Sequence, residues 1–133
     1  MNKEILCIDD DVGIIELVQL IMQRDGFSVR GASSGAEGLS AMRSEAPGVV
    51  LLDIMMPEMD GWETYKRIKA DPTLKDVPVV ILTARNSSFE EVIARERAGV
   101  DDYITKPFTP QELRERIKKV LSAKEQSGRE MKS

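Results

Sequence analysis

With 133 residues, 41% hydrophobic and 32% charged, and a net charge of −4, the chain is sized for one domain with a real core and lacks the basic excess of a nucleic-acid surface. It contains no histidine and a single cysteine. That excludes Ser-His-Asp and Cys-His triads, His-ligated or thiolate metal sites, and an internal disulfide. No apolar run approaches the ~20 residues that span a bilayer, and the N-terminus has no signal-peptide core. A cytoplasmic protein with no membrane partner is therefore expected.

Five short β-rich runs are predicted, over 5–8, 27–29, 49–52, 79–82 and 103–104. The third (Val49, Val50, Leu51, Leu52) and fourth (Val79, Val80, Ile81, Leu82) are apolar throughout, as strands covered on both faces are. After the first run, Ile14, Ile15, Val18, Ile21 and Met22 recur at helical spacing until Asp25-Gly26, a helix stop. A second helix is predicted over 34–45 with Ser33 or Ser34 as cap. A third runs from Gly61 or Trp62 to Ala70. A fourth runs from Ser87 or Ser88 to Ala98, closed by Gly99. The last starts at Thr109-Pro110, cap then first position, and carries the stripe Leu113, Ile117, Val120 and Leu121. Residues 122–133 are polar and stripeless, and read as a frayed helix end or linker after a domain over 1–121. Strand and helix alternate five times. This predicts an α/β fold, a doubly wound five-stranded parallel sheet with helices on both faces.

Open sheets of this kind build their sites beyond the carboxyl ends of the strands. There the first strand delivers Asp9, Asp10 and Asp11, the third Asp53, the fourth Thr83 and the fifth Lys106. Three adjacent carboxylates repel unless something neutralises them. Asp9, Asp10 and Asp53 offer hard oxygen ligands suited to Mg²⁺. A carboxylate beside such an ion can attack phosphorus and form an aspartyl phosphate. Lys106 and the Thr83 hydroxyl could then hold the transferred oxygens.

Four stretches carry a resemblance: CIDDD (7–11), LLDIMMPEMDGWE (51–63), ILTA (81–84) and GVDDYITKPF (99–108). Together they resemble the chemotaxis-type receiver domain of two-component response regulators, in the same order over residues 3–121. The resemblance implies a flavodoxin-like receiver fold with strand order 2-1-3-4-5. It implies Asp53 as phosphoacceptor, with Thr83 and Lys106 contacting the phosphoryl group. Asp9 and Asp10 become the acidic pair, Asp10 the preferred direct ligand, and the backbone carbonyl of Met55 completes the protein's share of Mg²⁺ coordination, with Mn²⁺ able to substitute. Tyr103 matches an aromatic switch position, and Lys106-Pro107 matches a cis peptide. The implied function is a phosphoacceptor in signalling, not a turnover enzyme. Its implied partners are a histidine kinase or phosphotransfer protein and a downstream effector, without direct nucleic-acid contact. The implied output face comprises the fourth helix, fifth strand and last helix, where Arg95, Arg97, Asp101, Asp102, Glu112 and Arg116 resemble the pairing face of winged-helix regulators and suggest a phosphorylation-dependent homodimer, or equally read as an ordinary solvated charged surface. In the family, the residues two beyond the acceptor and two beyond the threonine influence hydrolysis; here they are Met55 and Arg85.

Plainer readings compete. Asp11 reads as a cap for the first helix, and Asp60-Gly61 as a turn and helix start. Cys7, Trp62 and the methionines read as core or rim, and Tyr103 could simply pack. A Mg²⁺-dependent hydrolase similar in chemistry to haloacid dehalogenases would want a second Asp where Met55 stands.

Overall fold

In the computed structural model, described over residues 2–56, 61–84 and 100–132 with the side chains of 84 and 126–132 excepted, strands and helices alternate through residue 84, and a strand and a helix follow from residue 102. They are β1 (Glu4–Ile8), α1 (Val12–Gln23), β2 (Ser28–Ala32), α2 (Gly35–Ser44), β3 (Val49–Asp53), α3 (Gly61–Ala70), β4 (Val79–Ala84), β5 (Asp102–Lys106) and α4 (Pro110–Lys132). The helix expected over 88–98, with Arg85, Arg95 and Arg97, and the turn at Asp60 lie outside the described residues. All five strands run parallel, in the order β2-β1-β3-β4-β5. Among the described residues no helix is long and apolar enough to cross a membrane.

The period of two along each strand sorts the core into two layers. Ile5, Cys7, Val49, Leu51, Val80, Leu82 and Ile104 face α1 and α4, meeting Val18, Met22, Leu113 and Ile117. Leu6, Ile8, Val50, Leu52, Val79 and Ile81 face α2 and α3, meeting Leu39, Met42, Tyr65 and Ile68. Both layers are needed because β1, β3 and β4 lie between neighbours and are covered on both sides.

Local chemistry sets the helix ends. The Asp11 carboxylate accepts the Gly13 N–H at 2.9 Å and caps α1. Gly26, at φ +83°, turns the chain out of that helix, a conformation open to glycine. Ser34, not Ser33, caps α2. Thr109 and Glu112 cap α4 reciprocally: the Glu112 N–H donates to Thr109 Oγ1 at 3.1 Å and the Thr109 N–H to Glu112 Oε2 at 3.4 Å, the capping-box arrangement.

Several strand boundaries differ from expectation, β2 and β5 most. β2 runs over Ser28–Ala32 rather than 27–29. It is an edge strand whose Arg30 side chain reaches across to Glu4 and to the carbonyls of Ala41 and Glu45, so its apolar signal is weak. The last helix continues through the polar tail to Lys132, the helix-end rather than the linker reading of those residues. Nothing between 122 and 132 breaks a helix except Gly128, and one glycine only weakens it.

Candidate functional site

Hydrogen-bonding register aligns the strand ends that hold the chemistry. Asp53 pairs with Leu82, Thr83 with Thr105, and Ala84 with Lys106. Asp9 follows β1 directly, its N–H donating to the Ala32 carbonyl at 3.0 Å. All these groups therefore emerge on one edge of the sheet.

Asp9 is fully buried and Asp53 is 4% exposed, while Asp10 faces solvent. One carboxylate oxygen from each of the three lies within 4.8 Å of the others. Lys106 enters from the far strand: its Nζ lies 2.7 Å from Asp9 Oδ2 and 3.4 Å from Asp53 Oδ2. Backbone donors fix the remaining oxygens. The Asp11 N–H donates to Asp9 Oδ1 and the Met55 N–H to Asp53 Oδ1, each at 2.9 Å. Three carboxylates against one ammonium leave a formal excess of two negative charges.

Burial, followed by the charge of Asp53, holds the Asp9 carboxyl above its ordinary range, against the pull of the Lys106 hydrogen bond and the Asp11 N–H. Burial alone would lower the Lys106 ammonium. The hydrogen bond to Asp9 and the charges of Asp53 and Asp9 outweigh it and hold Lys106 above the usual lysine range. Beneath the site, burial and the Asp9 charge push the Cys7 thiol up to about 12. It stays protonated as a small core residue.

Thr83 is 1% exposed, and its hydroxyl has no hydrogen-bond partner among the described residues. A buried hydroxyl left unpaired costs about 1–3 kcal/mol; a ligand oxygen would satisfy it. Met55 turns its side chain outward, 62% exposed, departing from the core-or-rim reading that suits Met22, Met42 and Met56.

Tyr103 sits apart from this cluster. It is half-buried in β5, beside Ile81 and against the α2–α3 layer. The Arg116 guanidinium lies over its ring, 5.9 Å from the centroid. Four of the charges read on this face have partners within the chain. Asp102 is only 4% exposed and bonds Arg116 at 2.9 Å. Asp101 accepts the Val79 N–H at 2.8 Å. Glu112 is engaged in the α4 cap.

Sequence reading passed over Gly61 as a site residue. A Cβ there would collide with the backbone of Asp53 and Ile54, so glycine lets α3 start directly against the end of β3. The signal available was an Asp-Gly pair eight residues beyond a buried strand end, which also reads as an ordinary turn.

A family model described as the response regulator receiver domain matches residues 5–118. The chain is 39% identical over 125 residues to the alkaline phosphatase synthesis transcriptional regulatory protein PhoP of Bacillus subtilis, covering 94% of this chain and 51% of that protein. It is 36% identical over 133 residues to the DNA-binding response regulator MtrA of Mycolicibacterium smegmatis, covering 100% of this chain and 57% of that protein. The chain thus spans about half the length of the curated relatives it matches. Among solved structures it superimposes on the receiver domain of NtrX from Brucella abortus with a TM-score of 0.82 and 32% identity, over 89% of this chain and 98% of that one.

Proposed function

Because the chain belongs to the response regulator receiver family, as the receiver domain of a two-component regulator, we propose that it accepts a phosphoryl group on Asp53. The observation that carries this reading is the buried acid–ammonium cluster, in which Lys106 bridges Asp9 and Asp53 from the opposite strand. An Asp53 oxygen attacks phosphorus, and the bond to the donor breaks with its electron pair leaving on the donor. These 133 residues hold no histidine, so the donor lies outside them: a histidine kinase, a phosphotransfer protein or a small acyl phosphate. The Met55 N–H on Oδ1 fixes the plane of the Asp53 carboxylate. Lys106 and the unpaired Thr83 hydroxyl hold the incoming oxygens.

The donor set also fits a hard divalent cation. It is oxygen only, clustered, and carries the two negative charges such an ion balances. Asp10, Asp53 and the Met55 carbonyl would hold Mg²⁺, or Mn²⁺ in its place, with Asp9 beside them. When bound, the ion supplies charge stabilisation for the transferring phosphoryl oxygens.

Signalling follows from added charge. The phosphoaspartate brings about −1.5 to −2 by analogy with other phosphoresidues. Thr83 moves toward it and Tyr103 follows inward, a shift between two populated states. The face around β5 and α4 then changes for a cytoplasmic effector or a second copy. PhoP and MtrA are named as transcriptional or DNA-binding regulators; we assign such output to regions outside this receiver. Turnover is limited to slow autodephosphorylation, since the Met55 side chain cannot orient an attacking water. Phosphoaspartate lifetimes of minutes or longer are expected, shortened in Met55→Asn; decay within seconds would contradict this.

The test is incubation with acetyl phosphate and Mg²⁺ followed by intact-mass spectrometry. One phosphoryl adduct is expected, absent in Asp53→Asn. Turnover to free phosphate without an adduct would favour a hydrolase, and an adduct at normal rate in Asp53→Asn would remove the assignment.

A further inference from the structure

The open edge of the sheet holds an arrangement that the phosphorylation chemistry does not use. β5 is the last strand in the order. Asp102 pairs with Val80 and Tyr103 with Ile81, so their side chains leave opposite faces of the sheet. One guanidinium nevertheless reaches both. Arg116, on α4, donates from Nη1 to Asp102 Oδ1 at 2.9 Å and lies over the Tyr103 ring at 5.9 Å. Asp102 Oδ1 also accepts the backbone N–H of Tyr103 at 2.8 Å. Arg116 therefore wraps the edge strand, and Tyr103 is engaged at its backbone by the carboxylate and at its ring by the guanidinium. Beside it lies a notch of about 290 Å³, lined by Tyr103, Ile104, Thr105, Glu112 and Arg116.

We infer that Arg116, anchored by Asp102, is a positioning residue that holds the Tyr103 ring at the sheet edge and so opposes the phosphorylated state. Arginine suits this task because its planar cation can stack on an aromatic face while donating in its own plane. Asp102 is the anchor because it is buried: its carboxylate loses more than a surface carboxylate would if Arg116 swung away. Tyr103 moving inward forfeits the stacked contact. By linkage, whatever favours the edge position of the ring weakens binding at Asp53 by the same factor. The inference rests on the assignment of Asp53 and Tyr103 above, and it adds the group against which the switch works.

The chain has two tyrosines, Tyr65 and Tyr103, and Tyr65 is buried in the α2–α3 layer. Fluorotyrosine labelling therefore gives one reporter and one internal reference by ¹⁹F NMR. Arg116→Met keeps the aliphatic stem and removes the cation. Asp102→Asn combined with Arg116→Met also removes the buried charge, so a folded protein is secured. Both are compared with wild type at several concentrations, without phosphodonor and during beryllofluoride titration with Mg²⁺. In both variants the Tyr103 signal is expected to move toward its beryllofluoride position before any is added, with Tyr65 unmoved. Beryllofluoride affinity should rise about twofold to fivefold, the factor of a partly exposed cation–π contact. Unchanged Tyr103 signals and affinities in the folded variants, or a change confined to self-association, would overturn the latch. If beryllofluoride moves no signal even in wild type, the Asp53 reading fails instead; the contact of Arg116 with the ring then stands only if the donor-free Tyr103 signal of both variants departs from wild type with Tyr65 unmoved, and falls if it does not.

Discussion

Removing the Lys106 ammonium leaves Asp9 fully buried with only the Asp11 N–H as a donor among the described contacts. Breaking one partner of a buried pair costs about 3–5 kcal/mol, and the partial exposure of Lys106 puts the expected loss at or below the lower end. Urea denaturation of Lys106→Met without divalent cation should register it, and Asp9→Asn added to Lys106→Met should recover part. A double variant as unstable as the single would show that the pair is not the cause. Lys106 was legible in sequence as a chemical group at a strand end. Its preference for Asp9 over Asp53 was not, because 2.7 Å against 3.4 Å depends on the register of β1, β3, β4 and β5 together. The same limit applies to Arg116 and Asp102. They are 14 residues apart and read as surface charges until α4 folds back on β5.

Among the elements, the start of α3 and the tie between α2 and α3 make separate demands. Gly61→Ala places a methyl against the backbone of Asp53 and Ile54. Overpacking of this kind costs about 1–3 kcal/mol, and here it would also displace the Asp53 carboxylate. The variant should lose stability and phosphorylate more slowly with acetyl phosphate; normal values for both would mean that α3 shifts freely. Asp71, just past α3, lies 3.5 Å from Arg43 of α2. Bonds from the Thr73 hydroxyl and N–H, then Arg43, hold its carboxyl below the usual range. A folded-state value below the unfolded one adds stability above the unfolded pKa, about 4, and loses it as pH falls through the folded value. Asp71→Asn should therefore be less stable than wild type at neutral pH, with the difference closing below about pH 4. A gap that persists at lower pH would point to packing instead. The four described helices were readable from their stripes and caps. β2 was less so, because an edge strand with Arg30 and Gly31 needs little apolar surface.

For the whole molecule, the excess negative charge at one sheet edge would couple binding of a cation there to folding. An ion that binds only the folded state stabilises by about 2.7 kcal/mol at a hundred times its dissociation constant. Mg²⁺ should raise the unfolding midpoint of wild type, and a chelator should return it. Asp10→Asn should blunt the rise while leaving metal-free stability close to wild type, since Asp10 is exposed. An undiminished response in Asp10→Asn would take that residue out of the ligand set.

The alternation of buried strands and striped helices determined the α/β class from sequence, because periods of two and 3.6 are local properties of the chain. The absence of histidine likewise confined its chemistry to carboxylates, a hydroxyl and a lysine. Sequence position also put Asp9, Asp53, Thr83 and Lys106 beyond strand ends. Their meeting was decided only by the order β2-β1-β3-β4-β5, which brings residues up to 97 positions apart into contact. The tertiary structure alone decided that the Thr83 hydroxyl is unpaired among the described residues and that Arg116 spans the edge strand to reach Tyr103. Burial and cross-strand distance depend on how distant segments pack, and no local pattern in the chain encodes them.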